Sequence, residues 1–144
     1  MDTFRRDSFR GGEWMAVVIM LDLDEFGEVT TRKGWTEYSP NPVTRYLSHA
    51  VSAFAEKYHA TILYGLDFER GTEEAQIYCS DPDLEEVMTD LECIRKEIQT
   101  ISETTLSVGI VNVPPDIPVK SLKDFPLAKK ALRESKRKKK IILL

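Results

Sequence analysis

Apolar residues run almost without a break from Trp14 to Leu21, and the run closes on Asp22-Leu23-Asp24. This pattern predicts a central strand, buried on both faces, with a polar final turn. Glu25 to Pro40 carries no clear period and is expected to be a loop of unusual length. Asn41-Pro42 suits an N-cap followed by proline at the first helical position. Val43, Leu47, Ala50, Val51, Phe54 and Tyr58 then repeat at helical spacing. Ala60 to Leu66 and Ala75 to Cys79 are β-prone and flank a turn, Asp67 to Glu73, so they predict a hairpin. Ser80-Asp81-Pro82 is expected to open a second helix, with Leu84, Val87, Met88, Leu91, Ile94, Ile98 and Ile101 as its apolar stripe. Asp83, Glu85 and Glu86 suit the positive end of that helix. Thr104 to Val113 predicts a fourth strand, and Pro114, Pro115 and Pro118 break the chain after it. Leu122, Phe125, Ala128, Leu132 and Ser135 line a third helix, and Ile141 to Leu144 is either a short edge strand or a disordered end.

The order βαββαβ implies an α+β, ferredoxin-like palm. Right-handed crossovers interlock its strands as an antiparallel sheet of order 4-1-3-2, with helices on one face and an extra C-terminal helix. Residues 1–13 are expected to be a flexible N-terminal extension, and residues 14–144 a single domain. With 144 residues the chain is long enough for one core. No apolar run approaches a membrane span, and the polar N-terminus is no secretory signal, so a cytoplasmic protein is expected. Cys79 and Cys93 lack metal-ligand companions and are expected to be buried free thiols.

Charge alters this picture in one place. The net charge is −4, yet Lys129 to Lys140 carries +7 and the remaining residues −11. Lys136 and Lys140, four apart, are expected to share a helix face, where they would offset a triphosphate. The bland reading is a solvated face and a frayed end. General nucleic-acid binding does not fit the acidic remainder.

The predicted topology brings Asp22 and Asp24, at the end of strand one, to the same sheet end as Asp67 and Glu69 in the hairpin turn. The first helix begins there too. Carboxylates from two strands beside a helix N-terminus suit Mg²⁺ and a phosphate chain. The alternative is that Asp at a strand end merely opens a turn and that hairpin acids are solvated. His49 and His59 have no partner at ligand spacing and are assigned structural roles. Neither a nucleophile triad nor a Gly-rich phosphate loop is present.

Several motifs carry a resemblance. Val18 to Phe26 is similar to the first metal strand of the palm-type nucleotidyl cyclases, the GGDEF domains. Leu106-Ser107-Val108-Gly109-Ile110 is similar to their Ser-(Ile/Val)-Gly-Ile strand, and Ala128 to Lys136 to their closing helix. Trp35-Thr36-Glu37-Tyr38-Ser39-Pro40-Asn41-Pro42 resembles the Trp-Thr…Pro-Asn-Pro segment of archaeal GTP cyclohydrolase III, built on the same palm. Together these cover residues 15 to 140.

The resemblance implies a Mg²⁺-dependent enzyme that opens the imidazole ring of GTP and releases its terminal phosphates. It implies Asp22 and Asp67 as metal-binding catalytic residues, with Leu23 offering its backbone carbonyl and Asp24 beside them. Phe26, Trp35 and Asn41 would line the nucleotide pocket, and Lys136 and Lys140 would face phosphates. GGDEF domains have a second glycine where this chain has Leu66, in Tyr64-Gly65-Leu66-Asp67-Phe68-Glu69, which argues against a diguanylate cyclase. GTP cyclohydrolase III carries two such domains where this chain has one, so a homodimer or higher homo-oligomer is expected. The alternatives are a GGDEF-like nucleotidyl transferase and a non-catalytic nucleotide-binding regulatory module.

Overall fold

A computed structural model of the chain describes residues 15–36, 39–102 and 104–144. Both the expected extension, residues 1–13, and Trp14 lie outside them. The elements are β1 (Ala16–Leu23), α1 (Phe26–Lys33), α2 (Pro42–Tyr58), β2 (Thr61–Tyr64), β3 (Glu74–Ser80), α3 (Leu84–Ser102), β4 (Leu106–Val113), α4 (Pro126–Lys138) and β5 (Ile142–Leu143). A 3-10 turn, Val119–Leu122, precedes α4. One five-stranded sheet forms in the order β2-β3-β1-β4-β5. The expected 4-1-3-2 order is therefore present, and β5 adds a parallel edge strand beside β4.

Strand alternation divides the core between the two faces of the sheet. Val17, Ile19, Leu21 and Leu23 of β1 point to one face. There they pack with Leu47, Val51 and Phe54 of α2 and with Val87, Leu91 and Ile98 of α3. Ala16, Val18 and Met20 point to the other face, which α4 covers through Ala128 and Ala131, joined by Leu122. The even residues of β1 continue to Asp22 and Asp24, so both acids lie on the α4 face.

One glycine allows α4 to settle there. Met20 pairs with Gly109 of β4, so Gly109 also faces the helix. A methyl group at Gly109 would stand only 2.5 Å from the Leu132 backbone nitrogen. Hence glycine is required where helix and strand backbones approach this closely. Ser135 completes the contact, its hydroxyl accepting the Val108 amide at 2.9 Å.

Four expectations are corrected. The long segment after β1 contains α1, an eight-residue helix that ends at Gly34 with φ 73°. The amides of Gly34 and Trp35 return to Thr31 and Thr30, a Schellman-type ending. Second, α3 begins at Leu84 rather than at Pro82, because Asp83 Oδ1 accepts the amides of Glu85 and Glu86 at 3.0 and 3.3 Å. Third, α4 stops at Lys138 with Lys139 left-handed, so Lys140 does not continue the face of Lys136. Fourth, Cys79 is buried but Cys93 is exposed. Among the described residues, no helix is long and apolar enough to cross a membrane.

Candidate functional site

Three strands end side by side at one edge of the α4 face. Asp22 lies across from Glu74 of β3 on one side and Ser107 of β4 on the other. Lys136 reaches down from α4, its Nζ lying 2.8 Å from Asp22 Oδ2 and 3.0 Å from Asp24 Oδ1. Asp24 is only 8% exposed. It accepts from Ser107 Oγ at 2.7 Å and from Thr105 Oγ1 as well. Both of its oxygens thus already hold internal donors.

These contacts set the charge states. Burial opposes ionisation of Asp24, but the bonds from Thr105, Ser107 and Lys136, with the ammonium's charge, outweigh it and hold the carboxyl below its ordinary 3.8. Burial likewise disfavours the Lys136 cation. Its bonds to Asp22 and Asp24 overcome that, so its pKa lies above an ordinary lysine's. Nearby, the Tyr64 phenol is pushed up, first by burial and then by the negative charges of Glu74, Asp22 and Asp124. Among the described residues, this corner of the sheet therefore carries a negative field with the Lys136 ammonium inside it.

Asp67 occupies a different setting. It sits in the hairpin turn, where its Oδ1 accepts the amides of Glu69 and Arg70 at 2.9 Å each. Those bonds, chiefly that from Arg70, hold its carboxyl below the ordinary value. Its backbone carbonyl takes the Ser48 hydroxyl at 2.9 Å, and Thr72 links the same network. The expected convergence does not assemble. Among the described residues no group of three His, Cys, Asp or Glu side chains forms a cation site. Asp22 and Asp24 share Lys136, whereas Asp67 is engaged within its own turn, and the Leu23 side chain packs in the core while its amide donates to Glu73. Between the two acids of β1 lies the Lys136 ammonium.

The helix N-terminus is also closed to anions. Pro42 has no amide hydrogen. The amides of Val43 and Thr44 both donate to Asn41 Oδ1, at 3.0 and 2.9 Å. The Arg45 amide donates to the Asn41 carbonyl. A capping box completes the arrangement, with Thr44 Oγ1 accepting the Asn41 amide at 3.1 Å. Asn41 is thus first of all the cap that starts α2.

A cleft of about 110 Å³ opens beside that cap, lined by Phe26, Gly27, Thr30, Thr36, Ser39, Asn41 and Glu73. Phe26 and Asn41, expected in a nucleotide pocket, meet here. Trp35 instead packs half-buried against the core, with Lys33 Nζ 6.0 Å from its ring centroid. A second cleft lies at the hairpin between Gly65, Asp67, Arg70, Gly71, Glu73 and Glu74, sharing Glu73 with the first. Lys140 is exposed and takes no place in either cleft. Glu37 lies outside the described residues.

The residues missed from sequence are Thr30, Glu73, Thr105 and Ser107. Phe26, Val29 and Thr30 do carry helical spacing, and Gly34 a stop signal, which together could have revealed α1. Nothing in the sequence tied Ser107 and Thr105 to Asp24, more than eighty residues away.

No family model matches the chain. No curated protein is found to be similar to it. Solved structures do share its fold. The GGDEF domain of DgcB from Caulobacter crescentus, in complex with c-di-GMP, superposes with a TM-score of 0.62 at 21% identity, over 99% of this chain and 84% of that one. The active GGEEF domain of a diguanylate cyclase from Vibrio cholerae gives 0.59 at 16% identity, over 99% and 88%. The FimX GGDEF domain from Pseudomonas aeruginosa gives 0.59 at 12%, over 99% and 88%. At these identities the likeness shows the fold, which is that of the GGDEF palm.

Proposed function

We propose that this chain is a nucleotide-binding domain on a GGDEF-like palm, which takes a guanine nucleotide without turning it over. The cleft beside the α2 cap carries this reading. Phe26 offers an apolar ring surface for a base, Thr30, Thr36 and Ser39 offer hydroxyls, and Glu73 offers a carboxylate. Guanine presents adjacent N–H donors along one edge, and a carboxylate is a two-oxygen acceptor suited to them. Glu73 joins this cleft to the hairpin cleft, whose lining includes Arg70. The c-di-GMP bound by DgcB supports the same ligand class.

Binding without turnover is supported by the state of the acids. Metal-assisted chemistry on a triphosphate needs convergent, available carboxylates. Here Lys136 holds Asp22 and Asp24, while Asp67 is bound within its own turn. The expected self-association belongs to this proposal, since a ligand with two guanines can give one base to each of two copies.

Calorimetry of the full chain with GTP, ATP and c-di-GMP tests the reading, with mass analysis after long incubation in Mg²⁺. GTP or c-di-GMP should bind in preference to ATP, Glu73→Gln should weaken that preference, and the nucleotide should be recovered intact. Absence of binding by all three refutes it. A ring-opened formylamino-pyrimidine product would establish the GTP cyclohydrolase reading instead. Pyrophosphate with a linked or cyclic nucleotide would establish a nucleotidyl transferase.

A further inference from the structure

We infer that Lys136 takes the place of a divalent cation between Asp22 and Asp24, so that the carboxylate pair of this sheet is satisfied from within and closed to metal. The ammonium lies 2.8 Å from one acid and 3.0 Å from the other, a bridging position between two side chains on the same strand face. It is not a loosely placed surface lysine. Its helix is seated by the close approach at Gly109, and the residue before it, Ser135, is pinned to the Val108 amide. Asp24 gives its remaining capacity to Ser107 and Thr105.

Magnesium requires near-octahedral oxygens at about 2.0–2.1 Å and gives up its water reluctantly. A dication entering here would stand against the Lys136 ammonium and would have to displace it. A lysine donates three hydrogen bonds and accepts none, so it can neutralise two carboxylates but cannot join them as a ligand. Removing it would leave Asp22 and Asp24 without a counterion among the described residues, with Glu74 opposite Asp22. That is an arrangement in which a hard cation becomes the natural replacement. The inference rests on this geometry and not on nucleotide binding, and metal alone is the probe.

Thermal unfolding of the full chain is compared in about 10 mM MgCl₂ and in KCl of equal ionic strength, where a site with Kd of about 1 mM would be mostly filled and would raise Tm by linkage. The wild type should show no difference between the salts. Lys136→Met should melt lower and should recover part of that loss in Mg²⁺ but not in KCl. Lys136→Arg, which keeps the charge, should stay insensitive to Mg²⁺. A Mg²⁺-specific rise in the wild type that Asp22→Asn removes would overturn the inference. So would a folded Lys136→Met with no response to Mg²⁺, because the acids would then not form a cation site at all. Should Lys136→Met fail to fold, the wild type still decides. Mn²⁺ should leave the amide resonances of residues 22–24 and 107 sharp, and selective broadening there refutes the inference.

Discussion

Gly109→Ala is predicted to loosen the α4 face and, with it, the charge cluster beneath. The added methyl would lie 2.5 Å from Leu132 N, 2.7 Å from the Ala131 carbonyl carbon and 2.8 Å from Ala131 Cβ. Two of these three atoms are backbone, so no rotamer change relieves the clash, and the helix must retreat by roughly 1 Å to reach ordinary contact. Overpacking of this kind costs about 1–3 kcal/mol. The same retreat would stretch the 2.9 Å bond between Val108 N–H and Ser135 Oγ beyond hydrogen-bond range. A buried amide left unpaired costs a further ~1–3 kcal/mol. The two losses share one displacement and do not simply add, so the expected destabilisation is about 2–4 kcal/mol. For a chain of this length that lowers Tm by roughly 5–15 °C. Far-UV circular dichroism on heating and in urea measures it. Gly27→Ala is the control: a methyl there meets nothing within 4 Å. It should raise stability by about 0.5–1 kcal/mol, because glycine is costly inside a helix. A Gly109→Ala protein that melts within ~2 °C of the wild type would refute the close approach and the seating of Lys136 that depends on it.

Three further outcomes follow from the same contacts. Asn41→Ala removes the acceptor of the Val43 and Thr44 amides and should cost about 1 kcal/mol in urea unfolding, whereas Asn41→Asp should cost much less. Asp24 is held below its ordinary 3.8, so its contribution is present above that pH and is lost as pH falls through the lower folded value. Lys136 is raised above its ordinary 10.5, so its contribution is present below that pH and is lost as pH rises through the higher folded value. Stability attributable to the cluster should therefore hold between those limits, and Asp24→Asn should flatten the acid limb of a Tm-against-pH curve. Finally, burial pushes the Cys79 thiol up to about 12 while Cys93 is exposed, so a thiol reagent should label one cysteine quickly in the native protein and the second only on unfolding.

The basic stretch illustrates how far charge counting reaches. Its residues divide among unlike tasks: Arg137 and Lys138 pair with Glu134 on the same helix, Lys129 with Asp124, and Lys136 enters the sheet corner. The exposed pairs contribute little to stability because water screens them. The segment is thus mostly a solvated helix face, with one residue that organises the acids of β1.

Hydrophobic period was enough to locate the first four strands and the two long helices, and crossover handedness then ordered the strands; the fifth, at the C-terminal edge, was left open. These depend on which residues avoid water, and that information repeats locally along the chain. The α2 cap was equally legible, because Asn41, Pro42 and Thr44 act within four residues of one another. α1 was not, since only Val29 and Thr30 of its eight residues are buried and the periodic signal is correspondingly short. Sequence alone also placed acids at the end of β1 and lysines near the C-terminus, as separate charges with several possible partners. Their pairing was decided by tertiary structure. Gly109 admits α4 to the face that carries Asp22 and Asp24, and Lys136 arrives there from 112 residues away. Amphipathic spacing states that a helix buries one side; which strand receives it, and which charge is then brought beside which, follows only from the close packing of the whole chain.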